Sequence, residues 1–578
     1  MTDKVIQKTI QVDMFEVQLG AAMLMQFRLA SGEIVRILAD AGVDKASGYK
    51  TDHVFSKLFD SLGSATGVWT DFDTTTAPRL NLIIGTHYDE DHLRGLVPII
   101  NHHALPIDEI WLPPVQDDQA DVSVSSVSGG NANLAQRLLD DDGRTVIREY
   151  LHNKAQRIQE VDRIYQKLEA QEERLQELDL TGRNETIAVP EFKSDDWNLE
   201  GVIHYFEWHI RVANRTLGIR DDEDHHPHDD DEQQEFDTLQ EALDANVQRW
   251  QYRMACHWDD HRHFNFSMWL KEFNRALAIG LIAPGTQTPE FLALANIRKS
   301  LAKDAITAIH LDEVVKAIRA RHTAGVTPAI RIRCETISEG QPRYFFWDKN
   351  RFREGHPTAK KSELGFHLLG PSAQLVAKLQ KKIPVGLMML AYSDKGLKSG
   401  SVTPSNRLSY VMRFHLNDEA ILISGDAGFS DFSPSGTTHF YPDLLAQLKS
   451  LQVVQVAHHG GINHRFYQAL YSANLPKQTS WCFLLLSHSE DDKTRPRAEF
   501  GRFANLFRWD QRDDVSVLFT SQPMPDKVTA FDDLVHPPVL PSGKSVAKRG
   551  DVRLGFPFTP DSTRSNTAWR VEAHAIKV

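Results

Sequence analysis

The sequence predicts an α/β fold, on three observations. Short apolar runs broken by turn residues fill positions 1–115 and return after residue 363; a helix follows close behind one of them, near Asp91; and a long charged stretch between them has helical periodicity. In order, residues 15–17, 34–38, 80–84 and 109–112 read as strands, and the helix is expected from Asp91 towards His103. Residues 123–133, rich in Ser, Gly and Asn, have the composition of a flexible connector. Residues 146–180 carry Ile158, Val161, Tyr165, Leu168 and Leu175 at 3–4 spacing, interrupted by Glu172. A long surface helix or helical hairpin is expected there, with a coiled-coil partner surface as the alternative. Residues 296–322 again read helical, and apolar strands follow at 420–424, 453–457, 481–486 and 515–520. The resulting organisation is a core in two halves, 1–115 and 364–578, around a mainly helical insertion at 116–363.

Composition excludes several classes. A chain of 578 residues exceeds one ordinary core. Its 41% hydrophobic and 25% charged residues are those of a globular protein. No apolar run is long enough to span a bilayer, and Met1-Thr2-Asp3-Lys4 is not followed by the apolar region of a signal peptide, so no membrane partner and a cytoplasmic location are expected. Cys256, Cys334 and Cys482 are too widely spaced for a disulfide framework or a thiolate metal site. The net charge of −13 disfavours non-specific nucleic-acid binding but is compatible with a local basic groove. The acidic run at 221–232 reads as a solvated loop, and the His-rich segment at 257–263, ahead of a helical aromatic stretch at 264–278, as structural packing.

The most chemically loaded segment is His87-Tyr88-Asp89-Glu90-Asp91-His92, just after the apolar run Leu82-Ile83-Ile84-Gly85. Two imidazoles and three carboxylates at the exit of a buried strand are ligands suited to divalent zinc, manganese or iron. A polar loop capping a helix, with Asp89 or Asp91 as N-cap, is the alternative. On a sharp strand-to-helix turn the residues can diverge, His87 and Asp89 towards one ion and Asp91 and His92 towards another.

The hexapeptide resembles the His-x-Asp-x-Asp-His motif of metallo-β-lactamase-fold hydrolases in their competence-protein (ComEC-type) variant. Further resemblances follow in the family's order. Phe15-Glu16-Val17-Gln18-Leu19-Gly20 with Leu38-Ala39-Asp40-Ala41-Gly42 resembles the opening hairpin and Asp-x-Gly turn. Gly365-Phe366-His367-Leu368-Leu369-Gly370-Pro371 and Asn406-Arg407-Leu408-Ser409-Tyr410-Val411-Met412 resemble the strand ending in Gly-Pro and the Asn-x-x-Ser strand. Gly425-Asp426 after Ala420-Ile421-Leu422-Ile423-Ser424 resembles the Gly-Asp turn, and Val456-Ala457-His458-His459-Gly460 the strand ending in His-His-Gly.

This resemblance implies an αββα sandwich with two divalent ions, zinc or manganese, held by His87, Asp89, Asp91, His92, Asp426 and either His458 or His459. It casts Asp426 as the bridging carboxylate, Asp91 and Asp426 as catalytic, and a shared hydroxide as the attacking species. Asp40 is expected to orient a ligand imidazole. Two departures matter. Asn406 stands nearest the position of a histidine in ordinary members, and Lys493-Thr494-Arg495-Pro496 stands where the competence variant has Gly-His-Pro. Arg495, with His488 close in sequence, is therefore a candidate anchor for substrate phosphate, a surface salt bridge being the alternative. The expected function is a phosphodiesterase or nuclease acting on DNA. A small-molecule hydrolase (cyclic nucleotide, phosphoester or lactone) and a non-enzymatic scaffold whose insertion docks a protein partner are the alternatives. The architecture would also suit a bacterial defence system.

Overall fold

Alternation of apolar and polar residues in the first forty positions builds an antiparallel meander. Strands β1 (Ile10–Met14), β2 (Met23–Arg28) and β3 (Ile34–Ala39) pair in register, Val12 opposite Met25 and Met25 opposite Ile37, so that one face is apolar throughout. The computed structural model describes residues 9–43, 48–62, 78–115, 134–140, 143–176, 199–217, 289–356, 364–380, 404–434, 439–461, 463–475, 482–490, 492, 495–509, 515–523, 549–558 and 568–574. The 123–133 connector, the acidic run, the His-rich segment and the 264–278 stretch lie outside these residues.

The remaining strands are β4 (Leu82–Ile84), β5 (Glu109–Trp111), β6 (Arg331–Arg333), β7 (Arg343–Asp348), β8 (Arg351–Gly355), β9 (Leu364–Gly370), β10 (Val411–Leu416), β11 (Glu419–Ile423), β12 (Val453–Gln455), β13 (Cys482–Leu486), β14 (Val515–Phe519), β15 (Val552–Phe558) and β16 (Ala568–His574). They form two eight-stranded mixed sheets, ordered β16-β15-β1-β2-β3-β4-β5-β6 and β14-β13-β12-β11-β10-β9-β7-β8. Each runs antiparallel up to β3 or β11 and parallel beyond it. The sheets share one hydrophobic core. Trp111 of the first packs its ring edge-on against Phe345 and Phe366 of the second, at 5.0 and 5.3 Å between centroids. This is an α/β fold with two mixed sheets, compatible with the expected sandwich.

Three expectations change. Residues 15–17 are a buried turn rather than a strand, because Gln18 turns left-handed (φ 58°) and Gly20 N bonds back to the Val17 carbonyl. The helix after Asp91 breaks into Glu90–Leu93 and Leu96–Asn101 at Gly95, whose backbone lies against the Ala41 carbonyl. The insertion is also narrower than 116–363: β6 pairs with β5, and β7 with β9, so these segments belong to the sheets. The chain divides into two compact units, one of Met1–Val146, Thr307–Gln380 and Pro404–Val578, the other of Ile147–Ile306 and Lys381–Thr403. Helices run through Gly143–Gln176, Leu199–Leu217 and Pro289–Thr323, as the periodicity predicts for the first and last; the second unit takes the first helix from Ile147 on, all of the second, and the last as far as Ile306. Among the described residues no helix is long and apolar enough to cross a membrane.

Candidate metal centre

Parallel strands present their C-terminal ends together, and four of those ends build the site. Asp40 follows β3, His87 to His92 follow β4, Gly425 and Asp426 follow β11, and His458 and His459 follow β12. Hydrogen bonds tie these turns to one another. Asp40 N donates to the Ile84 carbonyl (2.8 Å), Tyr410 N to the Thr86 carbonyl (2.7 Å) and His458 N to the Gly425 carbonyl (3.3 Å). Gln455 Oε1 accepts from the backbone N of both Ser424 and Gly425, at 3.1 Å each, and so holds the turn that carries Asp426. Gly425 is left-handed (φ 50°), and a Cβ there would stand 2.4 Å from Thr86 Oγ1. His458 and His459 are left-handed too (φ 54° and 52°), a strained pair of the kind that functional turns retain.

The N-cap alternative for the hexapeptide fails on geometry. Asp89 occupies the N-cap position of Glu90–Leu93, yet its side chain makes no capping hydrogen bond. Its Oδ2 stands instead 3.7 Å from His87 Nε2. Asp426 divides its two oxygens: Oδ2 is 4.0 Å from His87 Nε2, while Oδ1 is 3.5 Å from His92 Nε2 and 3.9 Å from His459 Nε2. Asp91 Oδ2 faces the same two imidazoles, at 3.8 Å from His92 and 3.9 Å from His459. Ligands about 2.0–2.2 Å from a tetrahedral ion stand roughly 3.3–3.6 Å apart, so these separations are slightly wider than a closed shell. Among the described residues, the convergent groups of three metal-competent side chains all lie here: His87, His92 and Asp426; Asp91, His92 and His459; His87, Asp89 and Asp91.

Asp40 orients His92. Its Oδ1 accepts from Thr86 N and its Oδ2 from Thr86 Oγ1, both at 2.7 Å, and Oδ2 also holds His92 Nδ1 at 2.8 Å. With Nδ1 bonded to a carboxylate, Nε2 is the ring nitrogen that points at Asp91 and Asp426. Burial opposes a charge on His92, but Asp40, Asp91 and Asp426 overcome it and raise its pKa well above the ordinary value. Burial, reinforced by His92, pushes His87 down to about 3 against the pull of Asp426 and Asp40. His459 is likewise lowered to about 3 by burial, with Arg495 and His92 adding to it. Burial works against ionised Asp426, yet His92 and His459 hold its pKa well below the carboxylate range.

These residues fit divalent ions. Nε2 of His87, of His92 and of His459 are all buried without a hydrogen-bond partner, and all three face carboxylate oxygens. An unsatisfied buried polar atom costs about 1–3 kcal/mol. At His87 and His459, which burial keeps neutral, a lone pair aimed at a carboxylate adds repulsion that a shared cation would turn into attraction.

The other predicted residues are placed as follows. His459, rather than His458, brings a nitrogen within reach of Asp91 and Asp426; His458 belongs to none of the convergent groups, although Asp426 and His87 feel its charge. Asn406 is buried in the helical turn Pro404–Arg407, and its carbonyl accepts from Ser409 N. Arg495 is buried, close enough for its charge to depress His459, and its Nε is 3.8 Å from Asp492 Oδ2; it is no surface salt bridge. His488 is a correction. Its Nδ1 is 2.9 Å from Ser521 Oγ and its Nε2 is 3.1 Å from the Arg495 carbonyl, so both nitrogens are spent holding the loop rather than offered to a substrate. Thr86 and Gln455 were not anticipated; the signal for Gln455 is an amide closing the apolar strand Val453-Val454-Gln455. Comparisons of the whole chain with family models, curated proteins and solved structures found no match.

Proposed function

We propose that this chain is a metal-dependent phosphodiesterase of metallo-β-lactamase type, close to the competence-protein variant, with DNA as its foremost substrate. The observation that carries the reading is the convergence of three buried, unpartnered imidazole nitrogens on the divided carboxylate of Asp426. His87, Asp89 and Asp426 Oδ2 would hold one ion; Asp91, His92, His459 and Asp426 Oδ1 the other. When bound, such ions activate water near neutral pH and polarise the scissile group. Asp40 fixes the His92 ring, Gln455 fixes the Asp426 turn, and Arg495 supplies a cation beside His459 for a phosphate oxygen.

One observation favours a compact substrate as the second reading. The chain's net charge of −13 disfavours the basic surface that gripping DNA would need. The test is metal analysis joined to a substrate screen: single-stranded and duplex DNA, RNA, cyclic nucleotides and bis-p-nitrophenyl phosphate. The expected result is manganese- or zinc-dependent phosphodiester cleavage, abolished by Asp91→Asn and reversibly by chelator. Asp426→Ala should weaken both ions at once. Arg495→Ala should mainly raise KM for phosphodiesters and leave carboxylic esters nearly unaffected. Robust cleavage by Asp91→Asn, or by the wild-type chain in excess chelator, overturns the reading.

A further inference from the structure

We propose that the outer face of the second sheet carries an anion site, built from Arg413, His367, His415 and Tyr344 and distinct from the metal centre, that takes the phosphate of a small phosphomonoester. The placement follows from strand alternation. Met412, Phe414 and Leu416 of β10, Phe366 and Leu368 of β9, and Phe345 and Trp347 of β7 belong to the shared core. The residues between them therefore turn to the opposite face. Register sets these side by side: Arg413 and Tyr344 both stand opposite His367, and His415 stands opposite Gly365. On β11 the facing positions are Leu422 and Ala420, short of the turn that carries Asp426.

Arg413 is the residue that calls for a ligand. Its Nε is buried without a hydrogen-bond partner, and among the described residues neither a hydrogen bond nor an ion pair reaches the guanidinium. Burial alone acts on its pKa, which it lowers, so no carboxylate stands close enough to be felt. A guanidinium stays charged in proteins, and a sunken charge without a counterion is costly. Nδ1 of His367 is buried and unpartnered as well. Burial first and the Arg413 charge second hold His367 near 3 and His415 near 4, so both rings are neutral and each has one N–H to donate. The His367 ring lies between those of Tyr344 and His415, at 4.9 and 6.0 Å between centroids. Gly365 is the floor: a Cβ there would stand 2.6 Å from Tyr344 Oη and 3.0 Å from His415 Nε2, so both polar groups overhang bare backbone. Donors on three adjacent strands match a terminal phosphate, whose oxygens can take the arginine fork and an imidazole or phenol together. A phosphomonoester offers three free oxygens, a diester or a carboxylate only two. With His367 only 9% exposed, the recess suits a small molecule.

The experiment is calorimetric titration of the full-length chain with inorganic phosphate and with adenosine monophosphate, joined to thermal unfolding with and without phosphate. Both ligands are expected to bind and to compete, and phosphate should raise the unfolding midpoint. Arg413→Gln and Arg413→Met should weaken binding by about tenfold or more, since a charge-assisted contact is lost. Without phosphate, Arg413→Met should unfold no earlier than the wild type, because it removes an uncompensated charge; a merely structural arginine would leave the variant destabilised. Tyr344→Phe, which deletes a single hydroxyl, should weaken binding by a smaller factor and keeps the test alive if the Arg413 variants do not fold. Arg495→Ala should leave this binding unchanged, which separates it from phosphate held at the metal centre. Wild-type affinity in Arg413→Gln overturns the proposal, as does loss of binding in Arg495→Ala alone, or a wild-type chain that binds neither ligand. Competition by single-stranded DNA lacking a terminal phosphate, equal to that of the same strand carrying one, also overturns it, because the site would then read diesters.

Discussion

Gly42 has no room for a side chain. A Cβ there would fall 1.3 Å from the carbonyl oxygen of Asp91, and that oxygen already accepts a 2.9 Å hydrogen bond from Ala21 N. The Asp-x-Gly turn is thus a backbone-on-backbone contact that sets the height of Asp91 and His92. Gly42→Ala cannot be absorbed by a rotamer change, because the obstacle is main chain. It should cost several times the ~1 kcal/mol of an average substitution, read as a lowered urea midpoint, and should release metal even where the chain still folds. The hexapeptide was legible in sequence because its residue types carry their chemistry with them. Thr86 was not, since a threonine before a histidine has no distinctive pattern until Asp40 is folded onto it through two hydrogen bonds. His488 misled for the converse reason: nearness in sequence to Arg495 placed it in the same loop, but its ring turns inward to Ser521.

At the scale of elements, the limits of the helical unit are the main revision. The strands β6, β7 and β8 read RIR, RYFFWD and RFREG, in which arginines and half-buried residues mask the alternation, so the segment passed for part of a helical insertion. Only the core face, Phe345, Trp347 and Phe352, reports their place in the shared core. Excising roughly residues 125–360 should therefore yield insoluble protein, since it strips strands from both sheets. Excising roughly residues 150–300 with a flexible linker should leave metal stoichiometry unchanged while altering activity on large substrates. Circular dichroism and metal analysis of the two deletions check this, and loss of fold in the shorter one would show that the sheets depend on the helical unit. By contrast, β11 is legible directly as an apolar run, and β12 and β13 through the resemblance; the three lie parallel to one another and are almost wholly buried.

For the molecule as a whole, acid stability follows from histidines buried away from the metal centre. Burial pushes His367 and His209 down to about 3 and His415 to about 4, with neighbouring Arg413 adding to the first and last and Arg298 to the second. The sign is fixed by which state takes the proton first. In the unfolded chain these rings protonate near 6.5, in the folded chain only near 3–4, so between those values the unfolded state binds more protons. Their contribution is complete above about pH 6.5 and is lost as pH falls, at up to about 1.4 kcal/mol per pH unit for each ring. Urea unfolding at a series of pH values should show this decline, and His367→Gln with His415→Gln should flatten it between about pH 6.5 and 4. An unchanged slope in the double variant would show that these rings already carry protons in the folded state.

The two oxygens of Asp426 have one further consequence. The ligands they face, His87 and His92, precede the helical unit in the chain, while Asp426 and His459 follow it. An ion held as proposed would therefore staple two stretches of polypeptide that are remote in the order of synthesis. The amino-terminal half can offer only an incomplete chelate as it leaves the ribosome, and capture of the metal must wait for the carboxy-terminal half. Under the proposed function metallation would be a late event of assembly, and a loaded centre would report that the chain has been made and folded at least as far as His459.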